Sequence, residues 1–236
     1  MQRVMDCRIR QASRGMSIVE LLIGIAIGLF ILAAATMLVS NQLGDNRRLM
    51  LETQIQQDLR ATMDMVVRDV RRSGHWYHAS TTAWPSSPGA VAPNPYAVLN
   101  NHAESDTRSE LLYAYTNAFS ADVEDDAVDS SEQFGFALNS TAGTIEMKVG
   151  GSGWQTLTDP NVMVVTEFTH TINTQQVAVP CAKACPVGST TCPPMVQVSD
   201  VAVQITGQAT HDPSVRHTVS SNVRVRNDAL TGACPA

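Results

Sequence analysis

The 236-residue chain carries 16 Lys and Arg against 22 Asp and Glu, and charged residues make up only 16% of it. A chain of this size can form one anchoring helix and one globular domain. Beyond Ser73, six basic residues stand against fifteen acidic ones, a net charge of −9. Such a domain repels phosphate backbones, so direct capture of nucleic acid is not expected.

The chain begins with a basic leader followed by a long apolar run. Four arginines, Arg3, Arg8, Arg10 and Arg14, are opposed in the leader by Asp6 alone. Residues 21–39 carry no charge and would extend roughly 28 Å as a helix, enough to cross the hydrocarbon layer of a membrane. Positive charge on the short side of a first span holds that side in the cytoplasm, so everything after residue 39 is expected across the membrane.

Glu20 is the one carboxylate at the start of this apolar run. A secretory signal peptide would use 33–35, three alanines, as its cleavage site. A plain signal anchor is the second interpretation, and neither has a use for Glu20. The third is a capping box, in which Ser17 caps the helix and Glu20 reaches back. A capping box leaves Gly15 unexplained.

Residues 15–23, Gly-Met-Ser-Ile-Val-Glu-Leu-Leu-Ile, resemble the processing motif of type IV prepilins and type II secretion pseudopilins. The resemblance implies that a prepilin peptidase cleaves after Gly15 and that the new Met16 amine is methylated. Met16 stands where the family most often has Phe. Met37 stands where many major pilins have a helix-breaking proline, which argues against melting of this helix during filament assembly.

The same resemblance gives Glu20 a role in assembly. A carboxylate in hydrocarbon costs on the order of 2–4 kcal/mol at the bilayer centre and less near its edge, so it usually has a partner. The implied partner is the Met16 amine of a neighbouring subunit, and this pairing would set the axial register. Gly24 and Gly28 add a Gly-x-x-x-Gly spacing that lets another helix come close.

The helical pattern continues beyond residue 39. Apolar residues recur at three- and four-residue steps: Leu49, Leu51, Ile55, Leu59, Met63, Val66, Val67 and Val70. No proline precedes Pro85, and Gly74 is a natural stop. We predict one helix over about 16–72, with an amphipathic second half that packs against a sheet.

Residues 75–101 are loop-like because Pro85, Pro88, Pro93 and Pro95 fall among small polar residues. Six strands are predicted after this loop, at 111–116, 134–138, 144–149, 162–170, 195–206 and 215–226, in a mainly antiparallel sheet. A change of phase between Val198 and Val201 predicts a bulge at Ser199 and Asp200.

These elements predict an α+β type IV pilin fold, a long N-terminal helix on an antiparallel sheet. The expected parts are a cleaved leader (1–15), a transmembrane half-helix (16–39), a periplasmic half-helix (40–73) and a head (74–236). The head would begin with an extended loop over 74–110. Residues 65–76 resemble the end of the long helix in the PilW family of minor pilins, and 218–227 resemble its closing strand. Pseudopilin J of type II secretion has a related layout.

The cysteines agree with this topology. Cys7 lies in the leader, and the head contains Cys181, Cys185, Cys192 and Cys234. An even number of cysteines in a domain that faces the oxidising periplasm predicts two disulfides, with three possible connectivities. A zinc site is the alternative, but the spacing lacks the Cys-x2-Cys pairs of structural zinc.

The densest acidic segment is a weak candidate for a Ca²⁺ site. It contains Asp122, Glu124, Asp125, Asp126, Asp129 and Glu132. The spacing is not that of an EF-hand, and a solvated acidic loop is the simpler interpretation. His75 and His78 flank Trp76 and Tyr77, where a surface aromatic cluster is expected rather than a metal pair.

We therefore expect no enzymatic activity and no cofactor. The expected function is that of a minor pilin that helps initiate or cap type IV pilus assembly, in support of twitching motility and cell adhesion. Expected partners are the prepilin peptidase, other minor pilins, the major pilin and a tip adhesin. A type II secretion minor pseudopilin and a membrane-anchored periplasmic binding domain are the alternatives, and a secreted hydrolase ranks last.

Overall fold

The computed structural model describes residues 15–79, 93–105, 108–118 and 123–235, with backbone alone for 100–105 and 108. The leader up to Arg14, the prolines Pro85 and Pro88, and Asp122 lie outside the described residues. The chain divides into two compact units, Met1–Leu49 and Met50–Ala236.

Helix α1 runs over Ile18–Val70 and confirms the single long helix predicted from the apolar pattern. Its residues up to 50 are exposed, whereas Ile55, Leu59 and Val66 are fully buried. The helix ends before Gly74, which has a φ of 74° and whose added Cβ would lie 3.1 Å from the Asn227 carbonyl oxygen. Glycine is favoured here because this φ is costly for other residues and the neighbouring backbone leaves little room for a side chain.

The first sheet contains five antiparallel strands in sequential order: β1 (Leu99–Ser105), β2 (Arg108–Ala114), β3 (Gln133–Asn139), β4 (Thr144–Val149) and β5 (Trp154–Thr156). Alternation in β2 places Leu111 and Tyr113 in the core. In β3, Phe136 faces Leu111 directly in the register and is fully buried.

The second sheet is built on a long hairpin. Its strands are β6 (Met163–Ala178), β7 (Met195–Ala209), β8 (Arg216–Arg224) and β9 (Ala229–Thr231), and β7 pairs with each of the other three in antiparallel fashion. The ladder between β6 and β7 runs from Met163 opposite Ala209 to Ala178 opposite Met195.

One hydrophobic core joins the buried half of α1 to both sheets. It includes Leu59 and Val66 of the helix, Phe136 of the first sheet, and Val203 and Ile205 of the second. The helix lies close to β7, since a Cβ on Gly207 would lie 3.3 Å from Leu59 Cδ2; the same Cβ would lie 2.7 Å from the sulfur of Met163 in β6. The α+β, pilin-like fold predicted from the sequence is therefore confirmed.

Two details of the predicted sheet are wrong. The strands form two sheets instead of one. No bulge occurs at Ser199 and Asp200, which pair regularly with Thr174 and Asn173; the register shift lies in β6, between Val165 and Glu167. The valines change phase because the free end of the hairpin is partly exposed on both faces, so neither face needs to be consistently apolar.

The predicted extended loop over 74–110 is also interrupted. It contains β1, whose sequence Leu-Asn-Asn-His-Ala-Glu-Ser has no β-branched residue and so gives little sign of a strand. Pairing with β2 holds this segment in the sheet.

Candidate functional site

The start of α1 carries the residues that the sequence singles out for processing and assembly. Ser17 precedes the helix, and its hydroxyl accepts a bond from the Val19 backbone N–H at 3.4 Å. The Glu20 carboxylate does not reach back to complete a capping box, and within the described residues it has no hydrogen-bond or ion-pair partner. It is therefore available to a group from another molecule.

The apolar half of α1 is open along its length. Phe30 is 78% exposed, and Met16, just before the helix, is 68% exposed. A Cβ placed on Gly24 or Gly28 would meet nothing within 4 Å. Among the described residues, α1 is the one helix that is long and apolar enough to cross a membrane. This surface can contact lipid or the helix of another subunit.

A second polar group of α1, Asp69, is satisfied within the head. Its carboxylate accepts hydrogen bonds from the Tyr113 hydroxyl and, at 3.3 Å, from the Tyr115 hydroxyl. Burial, reinforced by the negative charge of Asp69, raises the pKa of Tyr113 well above its ordinary value and that of Tyr115 to about 12. The neutral tyrosines thus remain donors to the carboxylate and tie the end of α1 to β2.

The acidic segment after residue 122 is held by aromatic side chains. The Tyr96 hydroxyl lies 2.7 Å from Glu124 Oε1 and 3.0 Å from Glu132 Oε2, and it shares its single hydrogen between them. Burial and the bond to Glu124 hold the pKa of Tyr96 well above its ordinary value. Glu132 is only 5% exposed. The segment is therefore not simply the solvated loop that the sequence suggested.

Asp126 is the second point of attachment. Its Oδ1 accepts a bond from the Trp76 indole N–H at 2.5 Å and lies 3.0 Å from His78 Nδ1. The Trp76 bond, followed by the contact with His78, lowers the pKa of Asp126. Trp76 is buried whereas Tyr77 is exposed, so only part of the predicted aromatic cluster lies on the surface. Spacing could not show this contact, because 50 residues separate Trp76 from Asp126.

The remaining acidic side chains engage their own local backbone. Asp125 accepts from the Ala127 N–H at 3.0 Å, and Asp129 accepts from the Ser131 N–H at 2.6 Å. Within the described part of the chain, these carboxylates do not form a group of three or more metal-ligand atoms; the one such group is Cys181, Cys185 and Cys192. The Ca²⁺ candidate thus receives no geometric support among the described residues.

The four head cysteines form two disulfides in the structure, Cys181 with Cys234 and Cys185 with Cys192. Sulfurs in disulfides are not available as the thiolates that zinc requires. The first bond joins the segment after β6 to the C-terminal tail, across 53 residues of sequence. The second closes a short ring between β6 and β7. The sequence left these pairings open because several connectivities were possible.

Comparison with known proteins places this arrangement in a family. Residues 48–225, about three quarters of the chain, match the family described as PpdB, prepilin peptidase-dependent protein B. This match does not support the PilW or pseudopilin J assignment. It begins at residue 48 and so does not include the Gly15–Glu20 motif. No curated protein and no solved structure gives a significant match. The chain therefore belongs to the prepilin peptidase-dependent protein B family of pilin-like structural proteins.

Proposed function

We propose that this chain is a minor pilin that helps initiate or cap a type IV pilus at the bacterial inner membrane. In this proposal the prepilin peptidase removes residues 1–15, and the new Met16 amine is methylated. Before assembly the N-terminus is cytoplasmic and the head is periplasmic. Membership of a prepilin peptidase-dependent family and the resemblance of residues 15–23, at the start of α1, to a processing motif both support this pathway.

The observation that carries the proposal is the unpartnered Glu20 carboxylate at the head of an exposed apolar helix. In a low-dielectric environment such a charge is stabilised by an opposite charge. Cleavage after Gly15 would create an amine on Met16 of the neighbouring subunit. Processing would thus supply the partner of Glu20 at the moment when the helix becomes competent for assembly.

Gly24 and Gly28 would serve the same helix–helix contact. Small residues four apart let two backbones approach closely in a membrane or filament core. Open space around both glycines within this chain leaves this side of the helix free for a neighbour. The proposed neighbours are other minor pilins and the major pilin, and a tip adhesin is the proposed cargo of the head.

The mature N-terminus tests the processing step. Mass spectrometry of protein from cells that contain the prepilin peptidase should find a methylated Met16. Gly15→Val should leave the full-length precursor, because the resemblance requires glycine before the cut. Ala12→Val, with a similar increase in size within the leader, should be processed normally. A mature N-terminus after Ala35 would instead show that the segment is a signal peptide.

Glu20→Ala tests assembly separately from processing. Cleavage should remain largely intact, while recovery of the protein in sheared filaments should fall. Normal filament incorporation of Glu20→Ala would contradict the role proposed for this carboxylate. Deletion of the gene should abolish piliation and twitching; loss of protein secretion with normal piliation would instead identify a type II secretion pseudopilin.

A further inference from the structure

The end of α1 carries a basic concavity that neither the fold nor the processing motif explains. A cavity of about 430 Å³ is lined by Asp64, Val67, Arg68, Arg71, Arg72 and Arg226. We call these six residues the arginine cleft. The backbone N–H of Arg226, two residues after β8, donates to the Arg71 carbonyl at 3.2 Å, which holds Arg226 beside the end of the helix.

Most of these arginine side chains have no charged or hydrogen-bonding partner within the described part of the head. Arg72 lies 3.6 Å from Asp69 and its guanidinium stacks 4.3 Å above the Tyr115 ring. Within the described residues, the side chains of Arg68, Arg71 and Arg226 make no ion pair or hydrogen bond, and all three residues are exposed. Asp64 is the only acid that lines the cleft.

Helix capping does not account for these arginines. Basic residues at a helix C-terminus often bond the last carbonyl groups. Here the Asn227 side-chain amide donates to the Arg72 and Ser73 carbonyls at 3.3 and 3.0 Å. The Arg226 backbone N–H donates to the Arg71 carbonyl. The guanidinium groups are thus left to face the cleft, where they repel one another unless an anion enters.

We propose that the arginine cleft binds a carboxylate-rich segment of another protein subunit. Guanidinium groups form paired hydrogen bonds with carboxylates, and Val67 supplies an apolar contact for the side-chain stems. The head beyond Ser73 has a net charge of −9, so it repels an extended anionic surface such as a membrane. A short acidic segment can enter the cleft and avoid most of this repulsion. The identification of the partner as a subunit of the same filament rests on the proposed function; the binding chemistry does not.

The test uses the full-length protein in non-ionic detergent and a fluorescent octaglutamate peptide. Fluorescence anisotropy should detect binding that weakens with added salt, and an octaglutamine peptide should not bind. Arg71→Gln with Arg226→Gln should weaken binding by about tenfold or more, because two charge-assisted contacts are lost. Near-ultraviolet circular dichroism checks that the head remains folded.

Arg60→Gln with Arg216→Gln is the matched control. It removes the same charge from exposed arginines outside the cleft and should change the affinity by less than about twofold. An equal loss in both double variants, or no binding by the unmodified protein, would overturn the proposal. Binding to phosphatidylglycerol vesicles or inorganic phosphate without binding to octaglutamate would also overturn it, in favour of a phosphate site.

The state of the mature N-terminus distinguishes a failure of the cleft proposal from a failure of the proposed function. If octaglutamate fails to bind while the mature protein begins at a methylated Met16, only the cleft proposal is wrong. If octaglutamate binds but the precursor is not cut after Gly15, the proposed function fails alone.

Discussion

The first half of α1 exposes Leu29 and Phe30 to 61% and 78%, whereas the second half buries Leu59 and Val66 completely. Both halves are helical and carry apolar side chains, but the first is apolar all round and the second is amphipathic, and they differ in what covers them. The second half is covered by side chains from both sheets of its own head. The first half has no such cover within the described chain and needs lipid or another subunit to remove its apolar surface from water.

Two carboxylates of α1, one in each half, show the same difference in what surrounds them. Asp69 is buried and receives bonds from Tyr113 and Tyr115 of its own head. Glu20 is exposed and has no partner in the described structure. One helix thus contains a polar group that folding satisfies and another that, on our proposal, only assembly satisfies.

Leu59→Ala and Leu29→Ala should separate the two halves most strongly. Leu59→Ala should lower the unfolding free energy of the head by about 2–5 kcal/mol, because it leaves a cavity in the core. Leu29→Ala should change it by less than about 0.5 kcal/mol. Chemical denaturation in detergent, followed by near-ultraviolet circular dichroism, measures both. Similar losses in the two variants would contradict the division of the helix.

Asp69→Ala and Glu20→Ala should have the next largest contrast. Asp69→Ala should destabilise the head by about 1–3 kcal/mol, because the buried Tyr113 hydroxyl loses its acceptor. Glu20→Ala should leave head stability unchanged. In the Asp69→Ala background, Tyr113→Phe should cost less than it does alone. Additive effects of the two substitutions would show that the bond contributes little.

Alkaline pH should weaken only the region that contains the buried tyrosines. Burial raises the pKa of Tyr115 to about 12 and that of Tyr113 well above its ordinary value. The folded protein therefore keeps protons that the unfolded chain releases near pH 10. This contribution to stability is complete below about pH 10 and is lost as the pH rises through the raised values.

A spectrophotometric titration of the phenolate band, combined with circular dichroism, tests this expectation. The Tyr113 and Tyr115 signals should appear only as the head unfolds, and Tyr113→Phe should reduce the amplitude of that late step. Ionisation of every tyrosine near the ordinary pKa in a still folded head would contradict it.

Asp126→Asn should give the smallest effect, below about 1 kcal/mol, because the carboxylate is exposed. The Trp76 bond, followed by His78, lowers the pKa of Asp126. Its contribution to stability is present above the ordinary pKa of an aspartate and is lost as the pH falls through the lowered value. Trp76 fluorescence should report this acid transition. The transition should persist in Asp45→Asn, a control on the exposed part of α1, and disappear in Asp126→Asn.

Local signals in the sequence predicted elements whose periodicity is strong. The uncharged apolar run, the three- and four-residue apolar steps after it and the stop at Gly74 predict α1 to within two residues at each end, and β4 is predicted with its observed bounds. By contrast β1, β5 and β9 were missed, because β1 has no β-branched residue and β5 and β9 are only three residues long. Such strands are held mainly by their neighbours in the sheet. The resemblance to PilW was too specific, since the family match is to PpdB.

The polar sites divide in the same way. Gly15, Met16 and Glu20 are singled out by a resemblance to prepilins that a sequence can show, because the motif they form is contiguous. The Tyr96 contacts with Glu124 and Glu132 join residues 28 and 36 positions apart. The arginine cleft likewise needs Arg226 to return beside Arg71. No local sequence pattern predicts contacts between residues this far apart in the chain.

The sequence by itself determined one long helix with an apolar first half and an acidic, β-rich domain after it. These features follow from charge, hydrophobic period and residue spacing, which are local properties of the chain. Tertiary structure alone decided that the strands form two sheets, that Cys181 bonds Cys234, and that Asp69 is partnered while Glu20 is not. The physical reason is that pairing and burial depend on which distant segments meet in the folded chain.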